Sequence, residues 1–325
     1  MYSLMSSEYN IYIICILSAF VLALVAGPIF IPVLTRLKFG QMVRDDGPQS
    51  HLKKVGTPTM GGIIIVVPAA VVALAFSKDK DMLLVLITTV LFGLIGFIDD
   101  FLKIKNKRSL GLRAWQKMAG QLLVSVFMAF VASGISQVGT EILVPFTGKF
   151  IDLGAMYIPF VVLVFVATVN SVNFTDGLDG LAGGVTVVVL GFFSVIALAA
   201  SHVGLLVFSG ALIGALLGFL RFNSHPAQVF MGDTGALALG GAVAAVAVIT
   251  RLPLFILIIG AVYVAETLSI IIQVAYFKLT KGKRFFKMSP LHHHFELSGW
   301  AESKVVSVFI IASIILCLVG VLGLS

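Results

Sequence analysis

Long apolar stretches alternate with short polar segments along almost the whole chain. Ten such stretches can be distinguished, and most are close to the roughly 20 residues that a helix needs to cross the hydrocarbon core of a bilayer. They cover residues 11–35, 60–77, 82–98, 115–133, 158–173, 181–200, 203–220, 235–250, 253–279 and 304–323. The pattern predicts an all-α polytopic membrane protein with ten transmembrane helices, folded as a single integral membrane domain over residues 1–325.

Two segments depart from plain spanning helices. Between the fourth and fifth stretches, two short strings flank the turn Pro145–Gly148, which predicts a short external β-hairpin near residues 141–153. The ninth stretch is longer than one crossing needs and carries Glu266 at its middle. Because a carboxylate is costly in hydrocarbon, we predict that the ninth helix is bent and that Glu266 turns towards a polar neighbour or cavity. A straight, strongly tilted helix is the alternative.

Composition and charge add an orientation to this picture. Hydrophobic residues make up 59% of the chain and charged residues 11%, whereas soluble domains carry about 25% charged residues. Most of the 22 Lys and Arg lie in loops that share one side if every stretch spans, and only Lys78, Lys80, Lys149 and Arg251 fall on the other side. The positive-inside rule makes the richer side cytoplasmic and places both termini on the extracytoplasmic side. No nucleic-acid partner is expected.

Carboxylates gather on the same side as the basic residues. The prominent ones are the pair Asp99–Asp100, Asp176 and Asp179 in the polar string 170–184, and Asp233 in the string 230–235. A surface that combines carboxylates with Lys and Arg can hold Mg²⁺ and a polyphosphate together, and phosphoryl-type transfer depends on such charge stabilisation. Each of these features also has a simpler interpretation. The Asp99–Asp100 pair could be a solvated helix end, the string 170–184 an ordinary turn between two spans, and Asp233 an N-cap residue.

Three consecutive histidines, His292 to His294, lie between the last two apolar stretches. Consecutive residues cannot easily converge on one ion, and no cysteine lies nearby. We therefore favour contacts to phosphate or sugar over a zinc site, with a structural role as the remaining alternative.

Five strings, in matching order and spacing, resemble one family. They are Ser50–Gly62, the Asp99–Asp100 pair, Asn170–Gly184, Met231–Gly235 and Pro290–Leu297. Together they are similar to the phospho-N-acetylmuramoyl-pentapeptide transferases of bacterial peptidoglycan synthesis, which belong to the polyprenyl-phosphate N-acetylhexosamine-1-phosphate transferases. The resemblance extends from about residue 36 to residue 302. No single motif would suffice, but five in order are highly specific.

The resemblance implies a Mg²⁺-dependent enzyme that joins UDP-N-acetylmuramoyl-pentapeptide and undecaprenyl phosphate to give lipid I and UMP. It also implies a homodimer among the lipids of the bacterial cytoplasmic (inner) membrane, with the active site in a cleft on the cytoplasmic face. A related polyprenyl-phosphate N-acetylglucosamine-1-phosphate transferase is the alternative within the superfamily. A secondary transporter is the alternative from another class, although transporters place ionisable groups near mid-membrane rather than along one face.

The resemblance also assigns residues. It implies that Asp99, Asp100 and Asp233 are catalytic and that Asp233 binds the metal. The implied substrate-binding positions are Lys54, Thr59, Lys117, Asn170, Asn173, Asp176, Asp179, Asn223, Phe230, Gln273, His292 and His293, with Phe230 stacked on uracil. Because the second pKa of a phosphate monoester is about 6, the lipid acceptor is already ionised. We favour direct in-line attack with Asp99 orienting or deprotonating the acceptor, while an aspartate nucleophile with a covalent intermediate remains open.

Overall fold

The computed structural model describes residues 2–36, 56–106, 111–134 and 138–325, which are mostly helical. The helices are α1 Tyr2–Arg36, α2 Ile63–Phe76, α3 Lys80–Lys105, α4 Ala114–Gly134, α5 Tyr157–Thr175, α6 Leu181–Ala199, α7 Val203–Asn223, α8 Gly232–Ile249, α9 Ile256–Ile259, α10 Ala261–Leu279, α11 Leu291–Glu296 and α12 Glu302–Leu322. Each of the predicted apolar stretches coincides with at least one of these helices, which confirms the helical interpretation of the apolar pattern.

Nine helices in the described part of the chain are long and apolar enough to cross a bilayer: α1, α3 to α8, α10 and α12. The second stretch forms α2, which has only 14 residues, or about 21 Å of helix against a hydrocarbon core of about 30 Å. Residues 56–62, which directly precede it, are not helical. A polytopic architecture is therefore established, and a tenth crossing at α2 stays a prediction.

Helix α8 lies at the centre of the bundle and is buried along most of its length. It packs against α3 on one side and α5 on another. Glycines make both contacts close: a Cβ at Gly96 of α3 would lie 2.0 Å from the Asp233 carbonyl oxygen, and one at Gly240 of α8 would lie 2.5 Å from Cα of Val169. Small residues are the usual means of bringing membrane helices together. This packing brings the carboxyl end of α3 to the amino end of α8.

The predicted β-hairpin is present. Strands β1 Glu141–Val144 and β2 Lys149–Asp152 pair antiparallel, with Glu141 opposite Asp152. The Leu143 N–H donates to the Arg251 carbonyl oxygen at 2.9 Å. The hairpin is thereby joined to the connection that follows α8.

The ninth apolar stretch is not one continuous helix, as predicted, but the interruption lies earlier than Glu266. A 3-10 turn at Pro253–Phe255 leads into α9, and Gly260, with φ −97° and ψ 19°, separates α9 from α10. A Cβ at Gly260 would meet the Ile256 carbonyl oxygen at 2.7 Å, so glycine permits this conformation. Glu266 lies within the regular part of α10 and is completely buried.

Candidate active site

Two glycine-containing segments hold each other at the amino end of α8. Three backbone hydrogen bonds of 2.8–2.9 Å join them, from Phe230 N–H to Pro58, from Gly61 N–H to Phe230 and from Gly62 N–H to Met231. A Cβ at Gly62 would lie 2.2 Å from the Gly235 nitrogen, so a larger residue cannot occupy this position. The pairing places Thr59 beside Gly232, whose φ of +71° also favours glycine.

Three carboxylates meet where α3 ends and α8 begins. Asp99 and Asp100 come from the last turns of α3 and are 3% and 2% exposed, and Asp233 comes from the first turn of α8. Each residue contributes one carboxylate oxygen to a group of three oxygens that lie within 4.8 Å of one another. The structure therefore brings together the three residues that the sequence predicts to be catalytic.

Two lysines offset part of the negative charge of the three carboxylates in this acidic centre. Nζ of Lys103 lies 2.6 Å from Oδ2 of Asp99, 2.7 Å from Oδ2 of Asp233 and 3.5 Å from Oδ1 of Asp100. Nζ of Lys117, from α4, lies 3.1 Å from the same oxygen of Asp233. Charged hydrogen bonds of this length are about twice as strong as neutral ones. Lys103 therefore joins the carboxylates of α3 and α8 into one network.

Apart from Lys103, which both contact, Asp99 and Asp100 have different partners although they are adjacent in sequence. Oδ2 of Asp100 accepts hydrogen bonds from the Thr234 N–H at 2.9 Å and from its hydroxyl at 2.7 Å, and Oδ1 accepts the Asp233 N–H at 3.3 Å. Asp100 thus binds the amino end of α8, where a negative charge is favourable. Asp99 instead accepts the Leu112 N–H at 2.8 Å. Successive helical residues point roughly 100° apart, which accounts for the division.

Of the two predicted asparagines on α5, only Asn173 contacts the acidic centre directly. Its Nδ2 donates to Oδ1 of Asp233 at 2.7 Å, and its Oδ1 accepts from Lys117 at 3.5 Å. Asn170 lies one turn earlier and exchanges hydrogen bonds with Gln121 of α4, at 2.7 and 3.4 Å. Asn170 therefore joins two helices that position the centre.

Asp176 follows the end of α5 and lies in the same field of negative charge. Burial, and then the charges of Asp233 and Asp100, raise the pKa of the Asp176 carboxyl to about 8. Burial contributes most to this shift, and the neighbouring carboxylates add to it.

Asp179 and Asn223 stabilise the loops on the same side of the bundle. Asn223 is 3% exposed; its Oδ1 accepts the Gly180 N–H at 3.0 Å and its Nδ2 donates to the Val229 carbonyl at 2.9 Å. Asp179 is 4% exposed and lies 3.1 Å from Nδ1 of His225. Both polar atoms of the Asn223 side-chain amide are thus bonded to backbone, in the loops before α6 and before α8.

Two more residues predicted to bind the nucleotide, Phe230 and Thr59, lie close to Asp233 in the structure. Phe230 lies three residues before Asp233, is held there by backbone hydrogen bonds to the segment 58–61 and is only partly buried. Thr59 lies beside Gly232, at the same place. Lys54 lies outside the described residues.

The histidine segment, His292 to His294, packs against the loop between α5 and α6, where the His292 ring faces Gly177. His292 is completely buried, whereas His293 keeps 14% of its side chain exposed and lies 2.8 Å from Oε2 of Glu296. Gln273 accepts the N–H groups of Phe285 and Phe286 at 3.1 and 2.9 Å. Gln273 therefore organises the segment that leads to the histidines, and its contact with substrate stays a prediction.

The donor set at the acidic centre suits a hard divalent cation. Asp99, Asp100 and Asp233 present carboxylate oxygens, Asn173 adds an amide, and no sulfur ligand lies among these side chains. Mg²⁺ prefers oxygen ligands, takes one or two carboxylates and keeps several waters. The residues present therefore fit such an ion.

Two residues of the centre are absent from the sequence predictions. Lys103 lies three and four residues after the Asp99–Asp100 pair, a spacing that places side chains on one face of a helix, so its contacts could have been predicted. Thr234 directly follows Asp233 and bonds Asp100. Its role depends on the packing of α3 against α8, which no local pattern reveals.

Comparison with known proteins agrees with this geometry. The sequence profile of glycosyl transferase family 4 matches residues 82–251, which include all three carboxylates. Proteins called phospho-N-acetylmuramoyl-pentapeptide-transferase are similar over nearly the whole chain. The one from Clostridium botulinum (strain Alaska E43 / Type E3) is 54% identical over 311 residues, 95% of each chain. That of Clostridium novyi (strain NT) is 52% identical over 317 residues, 97% of each.

A third relative extends the similarity to another genus. The phospho-N-acetylmuramoyl-pentapeptide-transferase of Caldanaerobacter subterraneus subsp. tengcongensis is 56% identical over 310 residues, 95% of this chain and 97% of its own. Identity of this extent covers the helices that carry the acidic centre and the histidine segment alike. The chain belongs to the phospho-N-acetylmuramoyl-pentapeptide-transferase family, within glycosyl transferase family 4.

Proposed function

We propose that the acidic centre transfers phospho-N-acetylmuramoyl-pentapeptide from UDP-N-acetylmuramoyl-pentapeptide to undecaprenyl phosphate, giving lipid I and UMP. This is the first membrane step of peptidoglycan synthesis. The observation that carries the proposal is the arrangement around Asp233, which bonds two lysines and Asn173 beside two buried carboxylates. The names of relatives that align over at least 95% of the chain support the same reaction.

In this proposal the chain's own residues separate positioning from charge stabilisation. Lys103 and Lys117 bind phosphate oxygens of the donor, which reduces the repulsion between two anions. Asp99, held by the Leu112 N–H and by Lys103, orients or deprotonates the lipid phosphate. Asp100 is bonded through both oxygens to the start of α8, so we assign it to holding the centre together. These contacts favour direct in-line attack over a covalent intermediate on Asp100.

We assign the metal to the same carboxylates. Asp233, with Asp99 and Asp100, would hold Mg²⁺, which when bound supplies positive charge to the pyrophosphate. We further assign the nucleotide to the surrounding loops, with Phe230 stacked on uracil and Asp176 and Asp179 beside it. We assign four further residues to this pocket, Lys54, Thr59, Gln273 and His293. We assign three buried or bonded residues to positioning it from behind, Asn170, Asn223 and His292.

The proposal includes a membrane arrangement. The whole chain forms one domain with ten crossings, α2 included, and both termini outside a bacterial cytoplasmic membrane. The acidic centre then faces the cytoplasm, where a UDP-sugar is available, because the Lys- and Arg-rich loops lie on its side. The family resemblance suggests a homodimer, and apolar side chains exposed on α1 and α12 suit contact with lipid or a second copy.

A comparison of two donors, supplied separately, tests the proposal. Purified protein in lipid nanodiscs is given Mg²⁺, undecaprenyl phosphate and either UDP-N-acetylmuramoyl-pentapeptide or UDP-N-acetylglucosamine, and released UMP is measured. We expect UMP only with the muramoyl donor. Release from UDP-N-acetylglucosamine alone would instead support the related hexosamine-1-phosphate transferase. Vesicle uptake of either donor without UMP release would support transport.

A further inference from the structure

A carboxylate and an imidazole form a buried pair near the candidate active site. Glu266 of α10 and His292 of α11 are both 0% exposed, and Nδ1 of His292 lies 3.2 Å from Oε2 of Glu266. The backbone N–H of His292 donates to the same oxygen at 3.4 Å. Among the described residues, Oε1 of Glu266 and both ring nitrogens of His292 have no hydrogen-bond partner, so the carboxylate and the imidazole meet at ion-pair distance without an aligned side-chain hydrogen bond. A carboxylate at this depth is costly, so its retention in the interior calls for a function.

The imidazole of the pair faces the loop between α5 and α6. A Cβ at Gly177 would lie 2.2 Å from Nε2 of the ring, so the ring occupies the space that a side chain would need. Gly177 directly follows Asp176 and lies two residues before Asp179. The residue after Glu266, Thr267, donates to Oγ of Ser171 on α5 at 2.7 Å. The same turn of α10 thus contacts the end of α5 and, through the histidine, the loop that follows.

We infer that Glu266 is a positioning residue for the transfer reaction, acting through His292. It holds the imidazole against Gly177 and so fixes the backbone that carries Asp176 and Asp179. The inference rests on the proposed function, which assigns those two carboxylates to the nucleotide pocket. His292 is too deeply buried to reach a substrate directly, and the pair therefore acts through the loop.

Steady-state kinetics and binding of Glu266→Gln test the inference. Glutamine keeps the shape of the side chain and removes its charge. Contacts to a charged group are typically worth about 10–100-fold in an equilibrium, so we expect the KM for the UDP-linked donor to rise by about that factor. The KM for undecaprenyl phosphate should change less than about twofold, since the loop does not carry the lipid site. Calorimetry should show a matching loss of affinity for UMP.

The double variant establishes the coupling. We expect His292→Gln to reproduce the change, and Glu266→Gln with His292→Gln to be no worse than the more affected single variant, because both act through one contact. The matched control is Tyr263→Phe on the same helix, which removes another fully buried polar contact, a 2.8 Å hydrogen bond to Thr186. Both KM values should be unchanged in this control.

Three results would overturn the inference. One is a lower kcat in Glu266→Gln with both KM values unchanged, which is what a smaller fraction of folded enzyme produces. Another is additive effects of the two substitutions. The third is unchanged UMP affinity in Glu266→Gln, which counts whether or not turnover is observed. A wild-type protein that binds UMP but forms no lipid product would refute the proposed function and leave the binding test of Glu266 intact.

Discussion

Replacing Asp233 with asparagine changes the charge at the most connected carboxylate of the centre. Oδ2 of Asp233 accepts from Lys103 at 2.7 Å and from Lys117 at 3.1 Å, and Oδ1 accepts from Asn173 at 2.7 Å. An asparagine has only one oxygen, so its amide must turn an N–H towards the lysines or towards Asn173. Hydrogen bonds to charged groups are worth about 1.5–3 kcal/mol each, and losing two of them costs about 3–6 kcal/mol in this network.

Only part of that loss affects turnover, because some of it destabilises the resting enzyme as well. If half appears in the barrier, kcat falls by at least about tenfold, since about 1.4 kcal/mol corresponds to a factor of ten. The assay is UMP release at saturating donor and Mg²⁺, with melting temperature measured in parallel. Asp81→Asn is the matched control, because Asp81 lies in the first turn of the same helix as Asp99 and pairs with His202 at 3.1 Å. Folded Asp233→Asn protein that retains more than about a tenth of wild-type kcat would refute the assignment.

Three further changes have specific expected outcomes. Phe230→Ala should weaken UMP binding by about 1–3 kcal/mol, the value of stacking an aromatic ring on a base, and unchanged calorimetric affinity would place the uracil elsewhere. Asn223→Ala leaves two buried backbone groups unpaired, each at a cost of about 1–3 kcal/mol, and should destabilise the protein by about 2–6 kcal/mol; a melting temperature equal to wild type would contradict this. The hydrogen bond to Asp81 raises the pKa of His202, so this contact stabilises the fold below the unfolded-state pKa of about 6.5 and is lost as pH rises through the raised value. The stability advantage of wild type over His202→Gln should therefore shrink as pH rises above about 6.5, and a constant difference would disprove the pairing.

The helices and the hairpin could be predicted because each depends on local sequence. An apolar run in a membrane protein must satisfy its backbone internally, so every predicted stretch forms a helix. The hairpin follows from the turn Pro145–Gly148, and strand pairing begins directly beside it. Glu266 could be expected to find a polar neighbour on energetic grounds alone. It does so with His292.

What the sequence could not reveal depends on contacts between distant segments. The interruption of the ninth stretch falls at Gly260 rather than at Glu266. A side chain at position 260 would meet the Ile256 carbonyl oxygen, whereas Glu266 contacts His292 from within a regular helix. The lack of helix before Ile63 reflects backbone pairing with residues 230 and 231, far along the chain. The central position of Lys103 depends on how α3 packs against α8. Each is a tertiary effect that outweighs the local pattern.

Mass spectrometry of the lipid product tests the central claim most directly. Wild-type protein and Asp233→Asn are purified in nanodiscs and incubated with Mg²⁺, UDP-N-acetylmuramoyl-pentapeptide and undecaprenyl phosphate, and the extracted lipids are analysed. We expect wild type to yield undecaprenyl-pyrophosphoryl-N-acetylmuramoyl-pentapeptide with one UMP per lipid formed, and the variant to yield little of either. Equal amounts of this lipid from both proteins would show that the chemistry does not take place at the acidic centre.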